Sequence, residues 1–197
     1  MTTEFEAKFT DIDKDEMRRR LKKKGAQLLR PEFEQKRLNF HLPGDKRNKD
    51  AWLRVRDEGD KVTLALKMIT GKNIQDQKEL SITVDDFDKA IALLEAIGCE
   101  RKLFEITKRE LWKLNDADIT IDTWPGIPTF VEIEAPSEQA VKDAALALGF
   151  DYAHAIFGSV SAIYELHYNM YLEEIEGIVG GLTFDNQKLK ALQPRKK

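Results

Sequence analysis

The sequence has little of several features that mark common classes of protein. It contains one cysteine, Cys99, so a disulfide within the chain is excluded. Its three histidines lack metal-ligand spacing, and it has neither a glycine-rich phosphate loop nor a Gly-x-Ser-x-Gly context for a nucleophilic serine. No apolar run approaches the length that spans a membrane, and a net charge of −3 produces no overall field for nucleic acid or a membrane surface.

Charged residues are abundant although they nearly balance. They make up 34% of the 197 residues, beside a hydrophobic fraction of 42%, which predicts a globular protein of one domain with at most an appendage. The N-terminus Met1-Thr2-Thr3-Glu4 has no signal-peptide pattern, so we expect a cytoplasmic protein. Basic residues crowd 18–24, but a solvated helix face explains them, and they give no strong nucleic-acid signal.

Caps and hydrophobic periodicity predict four helices and eight strands. The helices lie near 13–25, 86–98, 137–149 and 159–176, and the first three begin at the capping residues Asp13, Asp86 and Ser137. The predicted strands are 3–10, 35–42, 51–57, 61–69, 77–84, 103–114, 117–123 and 129–135. We therefore expect an α+β fold in residues 1–170, with 171–197 as a helical and polar appendage that is mobile after Gly181.

The strands carry an unusual set of residues on one face. Side chains alternate along a strand, so residues two apart share a face. By this rule Glu4, Glu6 and Lys8 lie together, as do Arg54 with Arg56 and Glu132 with Glu134, while apolar residues occupy the opposite faces. Lys67, Glu79 and Asp122 are likewise opposed by apolar neighbours.

An ordinary antiparallel sheet, apolar inside and charged outside, would explain any one of these strands. It does not explain the residue types, because like charges at this spacing repel each other and call for compensating ligands. A barrel whose interior holds a polyanion with divalent cations supplies such ligands, since carboxylates bind Mg²⁺ and arginine binds phosphate. A triphosphate with one or two Mg²⁺ ions matches the mixture of acids and bases.

In order and spacing, these motifs resemble the CYTH superfamily, the triphosphate tunnel metalloenzymes. The resemblance covers residues 3–168 and rests on Glu4-x-Glu6-x-Lys8, Arg54-x-Arg56, Lys67, Glu79, Arg109, Asp122, the stretch 126–134 and Tyr164-Glu165-Leu166. It implies an eight-stranded antiparallel barrel, the tunnel, with helices packed outside and Mg²⁺ or Mn²⁺ as cofactor. The implied metal ligands are Glu4, Glu6, Glu132 and Glu134; the implied phosphate-binding residues are Lys8, Arg54, Arg56, Lys67 and Arg109; the catalytic candidates are Lys8, Glu79 and Asp122.

Four positions depart from the pattern that is common in the family. Gln77 and Thr107 stand where many relatives have an arginine and a lysine. The strand 35–42 has Arg37 and Asn39 where an acid and an aromatic residue are common. The first two departures remove positive charge and leave the identity of the triphosphate open.

Three functions agree with the motifs. The first is metal-dependent hydrolysis of a small-molecule triphosphate, either inorganic tripolyphosphate or an organic triphosphate. The second is a class IV adenylyl cyclase, which converts ATP to cyclic AMP and pyrophosphate and needs a purine pocket that no motif here certifies. The third is an inactive module that binds triphosphate or polyphosphate. Hydrolysis is preferred because it needs no nucleoside pocket, and we expect a monomer or homodimer.

Overall fold

The computed structural model describes residues 1–48 and 50–194, and within them nine strands form one antiparallel sheet that curls into a nearly closed barrel. Six α-helices lie outside it. The strands are β1 (Thr2–Thr3), β2 (Phe5–Phe9), β3 (Gln27–His41), β4 (Ala51–Asp57), β5 (Val62–Ile69), β6 (Gln77–Val84), β7 (Arg101–Leu114), β8 (Ala117–Thr123) and β9 (Phe130–Ala135). The helices are α1 (Lys14–Lys23), α2 (Phe87–Ala96), α3 (Glu138–Ala147), α4 (Ser161–Tyr168), α5 (Leu172–Val179) and α6 (Gln187–Ala191).

The N-terminal segment closes the barrel. The sheet order is β1-β6-β5-β4-β3-β7-β8-β9-β2, so its two outer strands are consecutive in the chain. Between them the Glu4 N–H donates to the carbonyl oxygen of Gln77 at 3.0 Å. One extended segment thus pairs with β6 through its first half and with β9 through its second. The expected α+β barrel is confirmed, with the first expected strand divided in two.

Strand β3 is the largest departure from the expected boundaries. It begins at Gln27, eight residues before the predicted start at residue 35, and its first part pairs with β7 across two register shifts. The second of these shifts, between Arg30 and Phe33, contains Pro31, which has no N–H to give to a ladder and is therefore tolerated at such an irregularity. The proline and the weak alternation of residues 27–34 hid this part of the strand.

The apolar faces of β3, β4, β8 and β9 point outward, toward the helices. Ile119, Ile121, Val131 and Ile133 on β8 and β9 are 0–1% exposed and belong to one cluster with buried residues of α1 and α3. A second cluster joins α2 to β3 and β4, including Phe40 at 0% exposure. Because the outer face of the barrel is used for the core, the inner face is left for the polar residues that alternate with it.

The helix caps that the sequence predicts are present. The backbone N–H groups of Glu16, Lys89 and Ala140 donate to the side chains of Asp13, Asp86 and Ser137. The expected fourth helix is instead two helices, because Asn169 adopts a left-handed conformation with φ of 57° and ends α4. None of the helices in the described part of the chain has the length and apolar character needed to cross a membrane.

The chain after residue 170 packs against the barrel. Leu172, Ile175 and Val179 of α5 are buried in a cluster with Trp124 and Phe130. Farther along, Leu182 exchanges backbone hydrogen bonds with Phe104 and Ile106, and Leu189 is 2% exposed. The sequence did not anticipate this packing after Gly181. Residues 195–197 of the expected appendage lie outside the described residues, and the domain boundary at residue 170 stays a prediction.

This packing predicts a clear stability difference between two isoleucines of α5. Ile175 is fully buried, whereas Ile178 is 41% exposed. Ile175→Ala should lower the free energy of unfolding by about 2–5 kcal/mol, because it leaves a cavity in the core. Ile178→Ala is the matched control and should cost less than about 1 kcal/mol. Urea unfolding measures both, and equal effects would contradict the docking of α5.

Candidate active site

The barrel encloses a cavity of about 490 Å³, and most of the side chains that line it are charged. Every predicted site residue except Asp122 contributes to its wall. The lining residues from this set are Glu4, Glu6, Lys8, Arg54, Arg56, Lys67, Glu79, Arg109, Glu132 and Glu134. These residues come from six strands and the β1–β2 junction, and they converge because each strand presents its polar face to the interior.

Three carboxylates form a compact group, here called the carboxylate cluster: Glu4, Glu6 and Glu134. One oxygen from each lies within 4.8 Å of the others. Strand register explains why they meet. Glu6 on β2 is directly opposite Glu134 on β9, and Glu4 lies two residues before Glu6. Like charges directly opposite each other destabilise a sheet unless something compensates them.

The electrostatics of this cluster fit a divalent cation. Desolvation, together with the charges of Glu132, Glu4 and Glu6, raises the pKa of Glu134 to about 7. Desolvation also raises the pKa of Glu4, although Lys67 opposes it. Three hard oxygen donors within reach of one ion are the donor set that Mg²⁺ or Mn²⁺ prefers, and the cation would remove the repulsion between the carboxylates.

Glu132 is placed differently from the cluster. Its carboxylate lies 3.2 Å from the Lys8 ammonium and 3.2 Å from the Arg109 guanidinium. Desolvation opposes ionisation, but Lys8 and Arg109 outweigh it and lower the pKa of Glu132. The structure therefore joins this predicted metal ligand to the bases of the cavity.

Lys8 is the most enclosed base of the site, with 3% exposure. Its ammonium contacts the Glu6 carboxylate and donates to the carbonyl oxygen of Gly158 at 2.6 Å. Burial disfavours its charge, yet Glu6 and Glu132 raise the pKa above the ordinary lysine value. Lys8 is therefore a fixed positive charge beside the carboxylate cluster.

Lys67 connects the carboxylate cluster to Glu79. Its ammonium lies 3.0 Å from Glu4 Oε2 and 2.9 Å from Glu79 Oε2. Desolvation raises the pKa of Glu79, but Arg54 and Lys67 reverse this and bring it to about 2. Gln77, at a position where many relatives have arginine, donates to Glu4 Oε2 at 2.7 Å and so orients a cluster carboxylate.

Asp122 lies behind the cavity wall and is fully buried. Arg109 donates to its two oxygens at 2.8 and 2.9 Å, a bidentate pair. Thr120 donates to the same carboxylate. This arrangement fixes the guanidinium of Arg109 and leaves Asp122 without access to the lumen.

The sequence pattern identified Arg37 only as a departure from the family and not as a site residue, yet this arginine lines the cavity. It is cross-strand partner to Arg56 and stands two residues from Asn39, which is partner to Arg54. We call Arg37, Arg54 and Arg56 the arginine cluster. The signal was available, because Gln35, Arg37 and Asn39 alternate with the apolar Leu38 and Phe40 in the same way as the motif strands.

The family model of the CYTH domain matches residues 2–152 of this chain. The chain belongs to the CYTH family. CYTH domains bind triphosphate substrates, and the CYTH tunnel enzymes depend on a metal ion. Family members include triphosphatases and adenylate cyclases.

Comparison with individual CYTH proteins gives the same fold. A candidate adenylate cyclase of Methanocaldococcus jannaschii is 27% identical over 133 residues, which cover 66% of this chain and 75% of the relative. The structure of a candidate adenylate cyclase from Vibrio parahaemolyticus superposes with a TM-score of 0.70 at 16% identity, covering 83% of this chain and 98% of the other. HpAC1 from Hippeastrum superposes with a TM-score of 0.56 at 17% identity, covering 82% and 94%.

Helix α5 adds an acidic residue to the wall of this CYTH cavity. Glu176 lines it, and its Oε1 is buried with no hydrogen-bond partner among the described residues. Desolvation raises its pKa to about 7, although Lys102 opposes the shift. Glu173, on the same helix, raises it further. Near neutral pH this side chain therefore changes between its protonated and ionised forms.

The raised pKa predicts how Glu176 affects stability. The folded protein keeps the proton up to about pH 7, whereas the unfolded chain releases it near 4.5. The stabilisation is therefore present below pH 4.5 and is lost as the pH rises through about 7. Between about pH 5 and about pH 8, the thermal midpoint of the wild type should fall more than that of Glu176→Gln, in metal-free buffer. Glu165→Gln, at an exposed position, is the control and should keep the wild-type slope.

Proposed function

We propose that this protein hydrolyses a small-molecule triphosphate in a metal-dependent reaction, with inorganic tripolyphosphate as a substrate. The observation that carries the proposal is that the cavity contains both an acidic part and a basic part. A carboxylate cluster suited to a divalent cation and a set of buried bases suited to phosphate share one enclosed space. A triphosphate brings the negative charge that the bases need and shares the cation that the carboxylates need.

The bases have different parts in binding. Lys8, Lys67 and Arg109 are already oriented by carboxylates, so they present charge without a further loss of side-chain freedom. Arg54 is only loosely paired, at 3.4 Å from Glu79, and Arg56 lies 3.0 Å from Glu58. Neither arginine makes a hydrogen bond through its buried Nε–H within the described structure, so both are available to bind phosphoryl oxygens with bidentate geometry.

The hydrolytic step is attack of water on a terminal phosphoryl group. Positive groups near the equatorial oxygens stabilise the charge that develops there. We assign Lys8 and Arg109 to this role, because Glu6, Glu132 and Asp122 hold them in place. Glu79, ionised with a pKa of about 2, accepts a hydrogen bond from water and orients it. The bond from the terminal phosphorus to the bridging oxygen breaks, pyrophosphate leaves, and the proton of the attacking water passes to the released phosphates.

The divalent cation, when bound, would polarise phosphoryl oxygens and orient the triphosphate. Glu4, Glu6 and Glu134 are the residues that would hold it. Glu132 joins as a further ligand only by exchanging its contacts with Lys8 and Arg109. Asp122, one of the catalytic candidates, acts in this proposal by positioning Arg109.

A relative with the same fold supports hydrolysis as the preferred reaction. The protein from Hippeastrum bears the name of an adenylyl cyclase, and its structure is described as revealing a dominant triphosphatase activity. The M. jannaschii relative bears a cyclase name. The shared lining serves both reactions, which differ in the nucleophile and in the phosphorus atom attacked.

The metal assignment predicts the effect of one substitution in the carboxylate cluster. Glu134→Gln keeps the shape of the side chain but removes a ligand charge, and should lower divalent-dependent turnover of tripolyphosphate by about tenfold or more. Raising the Mg²⁺ concentration should restore part of the loss. Glu34→Gln, at an exposed position on β3, is the control and should match the wild type. Unchanged activity of Glu134→Gln at limiting Mg²⁺ would remove Glu134 from the metal site.

The reaction assignment predicts the products. Purified protein with Mg²⁺ or Mn²⁺ should release orthophosphate from tripolyphosphate, and chelation of the metal should stop the release. Chromatography of parallel incubations with ATP separates the alternatives. Formation of cyclic AMP and pyrophosphate with tripolyphosphate left intact would establish the cyclase, and binding of tripolyphosphate without any product would establish the inactive module.

A further inference from the structure

Arg37 is buried in the wall of the cavity without the partners that a buried charge requires. Arg37 is 4% exposed, and its Nε–H has no hydrogen-bond partner among the described residues. One Nη donates to Gln35, and the guanidinium carbon lies 4.7 Å from the centre of the Trp124 ring. Glu105 on β7 is the cross-strand partner of Arg37, but the two side chains form no ion pair within 4.0 Å in the described structure.

The neighbouring arginine on β4 is in a similar state. The Nε–H of Arg54 is also buried without a partner in the described part of the chain. Arg56, which is the cross-strand partner of Arg37, has its Nε 3.0 Å from Glu58. The Nε–H of Arg56 makes no hydrogen bond despite this distance, so three unused guanidinium donors belong to one cluster on the same cavity. Such donors are costly to bury unless an acceptor arrives.

Burial and mutual repulsion disfavour the positive charges of this cluster. Burial, and next the charge of Arg109, lowers the pKa of Arg37 to about 10, and burial with Arg54 and Arg37 lowers that of Arg56 to about 9. Both arginines remain charged at neutral pH, and each would be stabilised by an anion.

Arg37 and the carboxylate cluster occupy different parts of the cavity. In the sheet order, β3 is four strands from β1 on one side and four strands from β2 on the other. Arg37 on β3 therefore lies on the wall opposite the seam where Glu4, Glu6 and Glu134 meet. A polyphosphate chain that has one end at the carboxylate cluster can therefore have its other end at the arginine cluster.

We propose that Arg37 binds the terminal phosphoryl group at the arginine cluster and selects inorganic polyphosphates over nucleoside triphosphates. This specificity role rests on the proposed function of the cavity as a triphosphate site. A free terminal phosphoryl group carries a second ionisable oxygen and three terminal acceptors, which match the unused donors. A nucleoside triphosphate with its γ-phosphoryl group at the carboxylate cluster would place its α-phosphoryl group at the arginine cluster. That α group is esterified, carries one charge and brings a bulky substituent.

A purely structural role for Arg37 makes a different prediction. If its contacts with Gln35 and Trp124 were its purpose, Arg37→Met would alter stability and would weaken all ligands alike. If it binds phosphate, the substitution removes an uncompensated buried charge, so the ligand-free protein should be as stable as the wild type or more stable. Selectivity between two ligands therefore distinguishes the roles.

The experiment is calorimetric titration with two non-hydrolysable probes in Mg²⁺: the imido analogue of tripolyphosphate and β,γ-imido-ATP. Arg37→Met should weaken the inorganic analogue by about tenfold and the nucleotide analogue by clearly less, because only the former loses a doubly charged partner. Arg37→Lys should lie between, since it keeps the charge but not the planar donors. Arg19→Met, at an exposed arginine of α1, should leave both affinities unchanged.

The outcomes separate this inference from the proposed reaction. Equal weakening of both probes, or none, in Arg37→Met overturns the role of Arg37, and Arg37→Lys serves as the same test if the methionine variant does not fold. A wild type that binds the inorganic analogue selectively but releases no orthophosphate from tripolyphosphate refutes hydrolysis and leaves the role of Arg37 standing. A wild type that does not bind the inorganic analogue overturns both.

Discussion

Charge buried inside the barrel is the constraint on which the rest of this structure depends. Ionised groups are expensive to remove from water unless opposite charges and hydrogen bonds surround them. The interior meets this requirement unevenly: Arg109 is held by Asp122 and Glu132, whereas Glu134 faces other acids. The hydrophobic core has been moved to the outside of the barrel, between the sheet and its helices. The protein therefore derives its stability from one face of each strand and places its chemistry on the other.

Closure of the barrel and assembly of the site are one event. The segment from Thr2 to Phe9 is bonded to β6 on one side and to β9 on the other, and Glu4 lies where the two pairings meet. Glu4 receives hydrogen-bonding or ionic contacts from Gln77 and Lys67, which are more than sixty residues away in the chain. The carboxylate cluster consequently exists only when the barrel is closed, since Glu134 comes from the opposite pairing.

The distribution of charged side chains gives the cavity a direction. Acidic side chains gather at Glu4, Glu6 and Glu134, and basic side chains gather at Arg37, Arg54 and Arg56. Fully paired groups such as Lys8 and Glu132 lie among them and hold the geometry. An extended anion with a cation at one end complements this arrangement, whereas a compact monophosphate would leave one of the two clusters unsatisfied. Preorganised groups in an enclosed space act on such a ligand without first having to reorient.

The sequence by itself determined the alternation of charged and apolar residues on the motif strands. From this alternation follow the barrel with charged faces inside and apolar faces outside, and most of the cavity wall. Local chemistry also determined the caps at Asp13, Asp86 and Ser137, because a cap depends on neighbours within three residues. Only the tertiary structure decided which charges meet. It paired Glu132 with Lys8 and Arg109, enclosed Asp122 behind Arg109, and brought Arg37 into the lumen. The physical reason is that strand register and barrel closure set distances between residues far apart in the chain, and Coulomb interactions among buried groups depend on those distances.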